Sequence, residues 1–234
     1  MAAVRARYND LANYKWEDNW HRYTGIEIQR QITQFCYSQI QPQRVVLNAG
    51  AGDTKLDLVA DLIVNLDISE ARVSRQQTPL IASVEAVPLS DETVDTVICV
   101  GSVINYCDAA SAISEFARIL RPNGHFLLEF ESSRSAELRT QAAFGRSAAV
   151  ADTFYGKEPE AIWVYSPEFI KHLLEAAHLC IQRQVAIHIL SPWALLLCRS
   201  TSTAATLARF DPWARRVPSL TRWASNHLYV CRKV

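Results

Sequence analysis

The chain has 234 residues, 49% of them hydrophobic, and its 24 basic residues balance 24 acidic ones to a formal net charge of zero. That is the size of one compact domain with room for a subdomain, and it lacks the basic excess with which duplex-binding proteins neutralise phosphates, so no nucleic-acid partner is expected. No apolar run reaches the ~18 residues of a membrane span, the N-terminal MAAVRARYND has no apolar signal segment, and six scattered cysteines lack the close pairs that hold zinc; a cytoplasmic protein without a metal is expected.

Residues 1–40 read as a helical N-terminal cap: GIEIQRQITQFCYSQI puts Ile28, Ile32, Phe35 and Cys36 on one face, and Pro42 ends the helix. RVVLNA, ending at Gly50, reads as a first strand and DLIVNLDIS, ending at Asp67, as a second. PLIASV is a weaker third and the β-branched VDTVICVGS a fourth. AASAISEFARIL has helical spacing at Ile113, Phe116, Ala117 and Leu120; RPNG is expected to break it before a fifth strand, HFLLEFE. SPEFIKHLLEAAHL opens with a Ser cap and Pro at the first helical position. IQRQVAIHIL and NHLYVCRKV are late strands. Short apolar strands alternating with helices predict an α/β fold, a mostly parallel sheet covered on both faces, with ligands at the carboxyl ends of the strands.

That directs attention to VVLNAGAGDT. Gly50 and Gly52 let the chain turn sharply and let a ligand approach the backbone. Asp67, seventeen residues past Gly50, ends the second strand, where a carboxylate accepts hydrogen bonds from both hydroxyls of a ribose. Glycine turn plus strand-end acid is a nucleoside-binding arrangement. A bare turn after a strand explains the glycines alone almost as well. A dinucleotide, as in an NAD-dependent oxidoreductase, calls for G-x-G-x-x-G, and here the third glycine would fall at Lys55.

Together with NLDIS, VEAVPLSDETVDTVICV and EFARILRPNGHFLLEF, in that order and spacing over roughly residues 40–131, the glycine segment resembles the class I S-adenosylmethionine-dependent methyltransferases, in particular the small-molecule group with LDVGCG-like and RVLKPGG-like segments. The resemblance implies a Rossmann-like seven-stranded sheet with an antiparallel last strand, in a single domain over 1–234. It implies S-adenosyl-L-methionine as cofactor. Gly50 and Gly52 would line its methionine part, with Asn48 beside them; Asp67 would hold the ribose; Ile68, Ser83 and Val84 would flank the adenine; Val100 and Gly101 would lie under the cofactor. Asn48 stands where the family usually carries an acid, Thr54 replaces its third glycine and Ser83 its adenine-edge acid. The helix after the glycine turn is short, since the second strand begins near Asp61. A non-catalytic cofactor-binding partner protein stays open beside the enzyme.

Methyl transfer from a sulfonium needs alignment and exclusion of water; an oxygen or nitrogen acceptor also calls on a base. The candidates are His21, in the aromatic segment YKWEDNWHRY, and Tyr106, after the fourth strand. Glu131 is expected as a solvated or helix-start acid, His188 as a satisfied core histidine, and His125 at the wrong end of the sheet. Tyr8, Tyr14, Trp16, Trp20 and Tyr23 either pack the N-terminal helix on the sheet or form an apolar lid. Enzymes acting on exocyclic base amines carry D/N-P-P-Y/F after the fourth strand, where this chain has GSVINY.

Residues 191–225 form a long insertion between the last two strands, with Arg199, Arg209, Arg215, Arg216 and Arg222 set among Trp193, Leu195, Leu196, Phe210, Trp213, Leu220 and Trp223 and only Asp211 as an acid. Two readings stand: a helical subdomain over the acceptor site, its arginines solvated, or an interfacial helix in peripheral contact with a membrane. Both favour a small, apolar or lipid-like acceptor.

Overall fold

The computed structural model describes residues 2–9, 19–39, 43–155 and 158–234. Two helices come first, α1 (Ala2–Asn9) and α2 (Asn19–Gln39). Then β1 (Gln43–Ala49), β2 (Ala60–Asp67), α3 (Glu70–Val73), β3 (Pro79–Ile81), β4 (Val94–Cys99), α4 (Ala109–Ile119) and β5 (Leu120–Glu131) build the first half. A hairpin of β6 (Ala148–Tyr155) and β7 (Glu158–Tyr165) precedes α5 (Pro167–Ala176) and β8 (Leu179–Ile187). The helices α6 (Ser191–Cys198), α7 (Thr201–Ala208), α8 (Asp211–Ala214) and α9 (Pro218–Thr221) lead to β9 (Asn226–Lys233).

Seven strands form one sheet in the order β3-β2-β1-β4-β5-β9-β8. Neighbours from β3 to β5 are parallel, and β9 is antiparallel to both β5 and β8. This is the expected Rossmann-like sheet with an antiparallel last strand. The chain steps outward from β1 to β3 and returns at β4, so the carboxyl ends of β1 and β4 part at a crevice.

Both faces are covered. On one, α4 buries Ala112, Ile113, Phe116 and Ala117, and Phe116 packs on Phe126 at 5.2 Å between ring centroids. Each large apolar side chain taken from water there contributes roughly 1.5–3 kcal/mol. On the other, Ile28, Ile32 and Phe35 of α2 pack on Val46, Ile98, Leu127, Val185 and Leu228. The face read from the sequence therefore meets the sheet; the Cys36 side chain lies outside the described residues. Asp108 caps α4 by accepting the Ser111 N–H at 2.7 Å, and Ser166 caps α5 through the Phe169 N–H at 3.1 Å, with Pro167 at its first position.

Two local expectations change. The helix α4 ends at Ile119, before RPNG, but the fifth strand starts earlier than HFLLEFE: β5 runs from Leu120, and a bulge takes up residues 121–124 between the pairs Val94/Leu120 and Thr96/His125, with Asn123 at φ 67°. The β6–β7 hairpin was not expected. It forms its own two-stranded sheet and is joined to the main fold through the Ser132–Tyr165 bridge and the Asn105 amide, which donates to the Trp163 carbonyl at 2.6 Å. No helix among the described residues is long and apolar enough to cross a membrane.

Candidate active site

The glycine turn is tied to the end of β2. The Gly50 and Ala51 N–H groups both donate to the Leu66 carbonyl, at 2.8 and 2.9 Å. The Gly52 N–H donates to Asp67 Oδ2 at 2.8 Å, and the Ser69 N–H donates to Asp67 Oδ1 at 2.7 Å. Both carboxylate oxygens are thus oriented by backbone amides, and lone pairs remain toward the crevice. Gly50 has φ +72°, and a Cβ there would run into the Val103 side chain. Its bareness serves a close approach of the β4 loop to the turn. Gly101, at φ +80°, has nothing within 4 Å of an added Cβ; its open side belongs to the crevice. The sequence suggested a short helix after the turn; none forms, and residues 54–59 are irregular up to β2.

A cavity of about 380 Å³ lies over these strand ends. Of the residues singled out from the sequence, Gly50, Gly52, Asp67, Ile68, Ser83, Val84, Val100, Gly101 and Tyr106 all line it. Asn48 does not. Its amide is buried and donates to Asn65 Oδ1 at 2.9 Å, while the Asn65 amide donates to the Gln77 carbonyl at 2.7 Å. An uncharged side chain at that place is drawn sideways into β2, so Asn48 holds the sheet below the cavity.

The sequence did not single out Arg72 or Asp53, and it took Tyr8 only as one of an aromatic group. All three line the cavity. Arg72 is 2% exposed; its Nε donates to the Tyr8 carbonyl at 2.7 Å and its Nη1 pairs with Asp53 at 3.3 Å. The Ser69 hydroxyl reaches the Tyr8 carbonyl at 3.0 Å and Asn9 Oδ1 at 2.8 Å. These bonds dock α1 on α3, and the Tyr8 ring stands edge-on to Tyr106 at 5.7 Å. Tyr8 of the aromatic group therefore stands at the cavity. Trp20 and Tyr23 instead pack on His188, at 4.5 and 5.3 Å, and Tyr14 and Trp16 lie outside the described residues.

Burial, then the charges of neighbouring groups, pushes the Tyr106 phenol well above its ordinary pKa. It can donate a hydrogen bond near neutral pH but is no base. His21 falls on the first turns of α2, and its side chain lies outside the described residues. Glu131 is not solvated. It is 9% exposed, accepts the Ser102 hydroxyl at 2.7 Å and, with fully buried Glu129, which accepts the Ser102 N–H at 2.6 Å, anchors the loop after β4. His188 is the satisfied core histidine expected, between Thr24 Oγ1 at 2.6 Å and Ser191 Oγ at 2.8 Å. His125 lies midway along β5, packed on Phe35 at 5.3 Å and away from the cavity.

The insertion contributes nothing to the lining of this cavity. Its acid, Asp211, is fully buried and accepts the His188 and Ile189 N–H groups at 2.7 and 3.0 Å. Arg215 is half-buried, paired with Glu27 at 2.7 Å and donating to the Ala186 carbonyl at 2.7 Å.

Residues 47–128 match the methyltransferase-domain family. A probable S-adenosylmethionine-dependent methyltransferase of Mycolicibacterium smegmatis is 33% identical over 122 residues, 48% of this chain and 45% of that protein. The malonyl-[acyl-carrier protein] O-methyltransferase of Yersinia pestis is 30% identical over 156 residues, 60% of this chain and 54% of that one. The chain spans about half the length of these curated relatives. Among solved structures, geranyl diphosphate C-methyltransferase of Streptomyces coelicolor superposes with a TM-score of 0.63 over 100% of this chain and 98% of its own, at 11% identity, a likeness of fold.

Proposed function

Residues 47–128 carry the methyltransferase domain of the class I S-adenosylmethionine-dependent methyltransferases, and from that premise we propose that the chain transfers the methyl group of S-adenosyl-L-methionine to a small, apolar or lipid-like acceptor. One observation carries the reading: the Asp67 carboxylate, held by the Gly52 and Ser69 amides, faces a cavity at the carboxyl ends of β1, β2 and β4. The residues fit the cofactor. Asp67 would take the two ribose hydroxyls, Ile68 and Val84 would sandwich the adenine with Ser83 at its edge, and Gly50, Gly52 and Gly101 would let the methionine part lie against the backbone.

S-adenosylmethionine supplies an already activated methyl group when bound. The chain's own share is then alignment and dryness. Val100, Val103 and the Tyr8–Tyr106 pair, whose hydroxyls are joined by a hydrogen bond, give the cavity apolar walls. His21 remains the proposed base if the acceptor must lose a proton.

The apolar acceptor is supported by the outer face of the insertion. Leu197, Phe210 and Trp213 are exposed, 76%, 54% and 59%, and the exposed Arg199, Arg209 and Arg216 surround them in sequence, while Asp211 is buried. All charge offered by this face is positive, which complements an anionic lipid surface. The whole reading is tested by calorimetry with S-adenosylhomocysteine and with NAD, then by radiolabelled methyl transfer into a lipid extract. Tight S-adenosylhomocysteine binding with label in the extract is expected. Binding of NAD alone would overturn it, and binding without transfer to any fraction would favour a non-catalytic partner protein.

A further inference from the structure

A second cavity, of about 440 Å³, opens at the far edge of the sheet between α5, α9 and the paired strands β8 and β9. It shares no lining residue with the cavity over Asp67. Its wall carries Arg134, Lys171, Arg183, Arg215 and Arg222 against one carboxylate, Glu168, which is paired with Arg134 at 3.2 Å. Arg183 donates to a neutral partner, Gln31 Oε1, at 2.9 Å. Arg215 faces Glu27, but Glu27 also pairs with Arg30 at 2.8 Å and accepts from Gln31 at 2.9 Å. The wall is left with uncompensated positive charge.

Two buried polar atoms of this wall have no hydrogen-bond partner among the described residues: Nη2 of Arg215 and Nε2 of His227, a residue only 8% exposed. Leaving such a group unsatisfied costs about 1–3 kcal/mol, so buried polar atoms of this kind are ordinarily met by a partner, an acceptor for the guanidinium and, in the Nε2–H tautomer, for the imidazole. Here both belong to one cation-lined cavity. A carboxylate offers two coplanar oxygens. A phosphoryl group offers three or more and a charge near −2, which matches donors arriving from α5, β8, β9 and the insertion at once.

We propose that this cavity binds a phosphoryl anion, with Arg215 Nη2 and the His227 imidazole as inner donors and Lys171, Arg183 and Arg222 around them. The site is independent of the methyltransferase reading. Its chemistry is shared by soluble phosphoesters and phospholipid headgroups.

Titration calorimetry with inorganic phosphate tests it. Saturable binding is expected, weakened by about tenfold or more, the loss of a charge-assisted hydrogen bond, in Lys171→Ala/Arg222→Ala, which alters only side chains at the cavity mouth, and in His227→Phe. Asp67→Ala should keep phosphate binding while losing S-adenosylhomocysteine, so failure of either site is told apart from failure of the other. Absence of saturable binding by the wild type, or an affinity unchanged in both variants, would overturn the proposal. Vesicles containing phosphatidate separate the sources. Association that inorganic phosphate competes away, and that Lys171→Ala/Arg222→Ala loses, marks a headgroup; phosphate binding without vesicle association marks a soluble phosphoester.

Discussion

The Gly52 amide donates to Asp67 Oδ2 across 2.8 Å, so the glycine turn after β1 and the acid ending β2 form one unit. Asp67 is therefore oriented before any ligand arrives. Asp67→Ala removes the acceptor for the ribose and also frees the Gly52 and Ser69 amides. The expected loss of S-adenosylhomocysteine affinity is ~2–3 kcal/mol, read by calorimetry on protein whose circular dichroism matches the wild type. Unchanged affinity in that folded variant would remove Asp67 from the site.

Gly50 should be a stability residue as much as a binding one. An added Cβ meets Val103, and the φ of +72° is unfavourable to any side chain. Gly50→Ala should cost about 1 kcal/mol for the left-handed backbone and more for the overlap. The overlap alone is relieved by Val103→Ala. In urea denaturation the double variant should lose less than the sum of the single variants. Strict additivity would mean that the turn moves away from Val103 without resistance.

These two residues also mark how far the chain could be read in advance. The turn, Asp67, Ser83–Val84 and Val100–Gly101 sit at strand ends, and strand ends follow from local apolar runs. Arg72 and Tyr8 are invisible by that route, since they meet through α1 docking on α3, a contact between segments 64 residues apart. Asn48 lies on the expected strand, but its amide finds Asn65 next door, which no local pattern announces. Glu131 reads as a solvated or helix-start acid because nothing local tells that the Ser102 hydroxyl will cover it. The β6–β7 hairpin had a signal in its alternation, Val150 and Trp163 outward with Ala151, Ile162 and Val164 inward, that a search for long apolar runs passes over.

The insertion separates into half-buried and surface arginines. Arg209→Glu with Arg216→Glu should weaken sedimentation with anionic vesicles by at least about 2 kcal/mol, since each basic residue near the membrane contributes about 1 kcal/mol, with S-adenosylhomocysteine affinity unchanged. Arg215→Glu should act differently. It sets a carboxylate against Glu27 and the Ala186 carbonyl, so its first effect is a lower melting temperature. A wild type that fails to sediment even at low salt would remove the membrane contact altogether.

His227 should make stability depend on pH in a definite direction. Burial first, and the Lys171 charge second, lower its pKa from 6.5 to about 4. In the unfolded chain the imidazole takes up its proton near 6.5, and in the folded chain only near 4. The unfolded state thus binds more protons across that window, so this residue's contribution is complete above pH 6.5 and is lost as pH falls toward 4. A depression of this size corresponds to about 3 kcal/mol. The charged groups that line the same cavity as the ring are Arg134, Glu168, Lys171, Arg183, Arg215 and Arg222, and Tyr229 of its own strand stands edge-on to it at 6.2 Å. His227→Phe, with Phe130 stacked beside it at 5.6 Å, removes the proton site and keeps an aromatic ring there. The difference in unfolding free energy between wild type and His227→Phe, measured in phosphate-free buffer, should therefore swing against the wild type as pH drops through the window. Parallel stability curves for the two proteins would mean that the ring reaches water and titrates as it does in the unfolded chain.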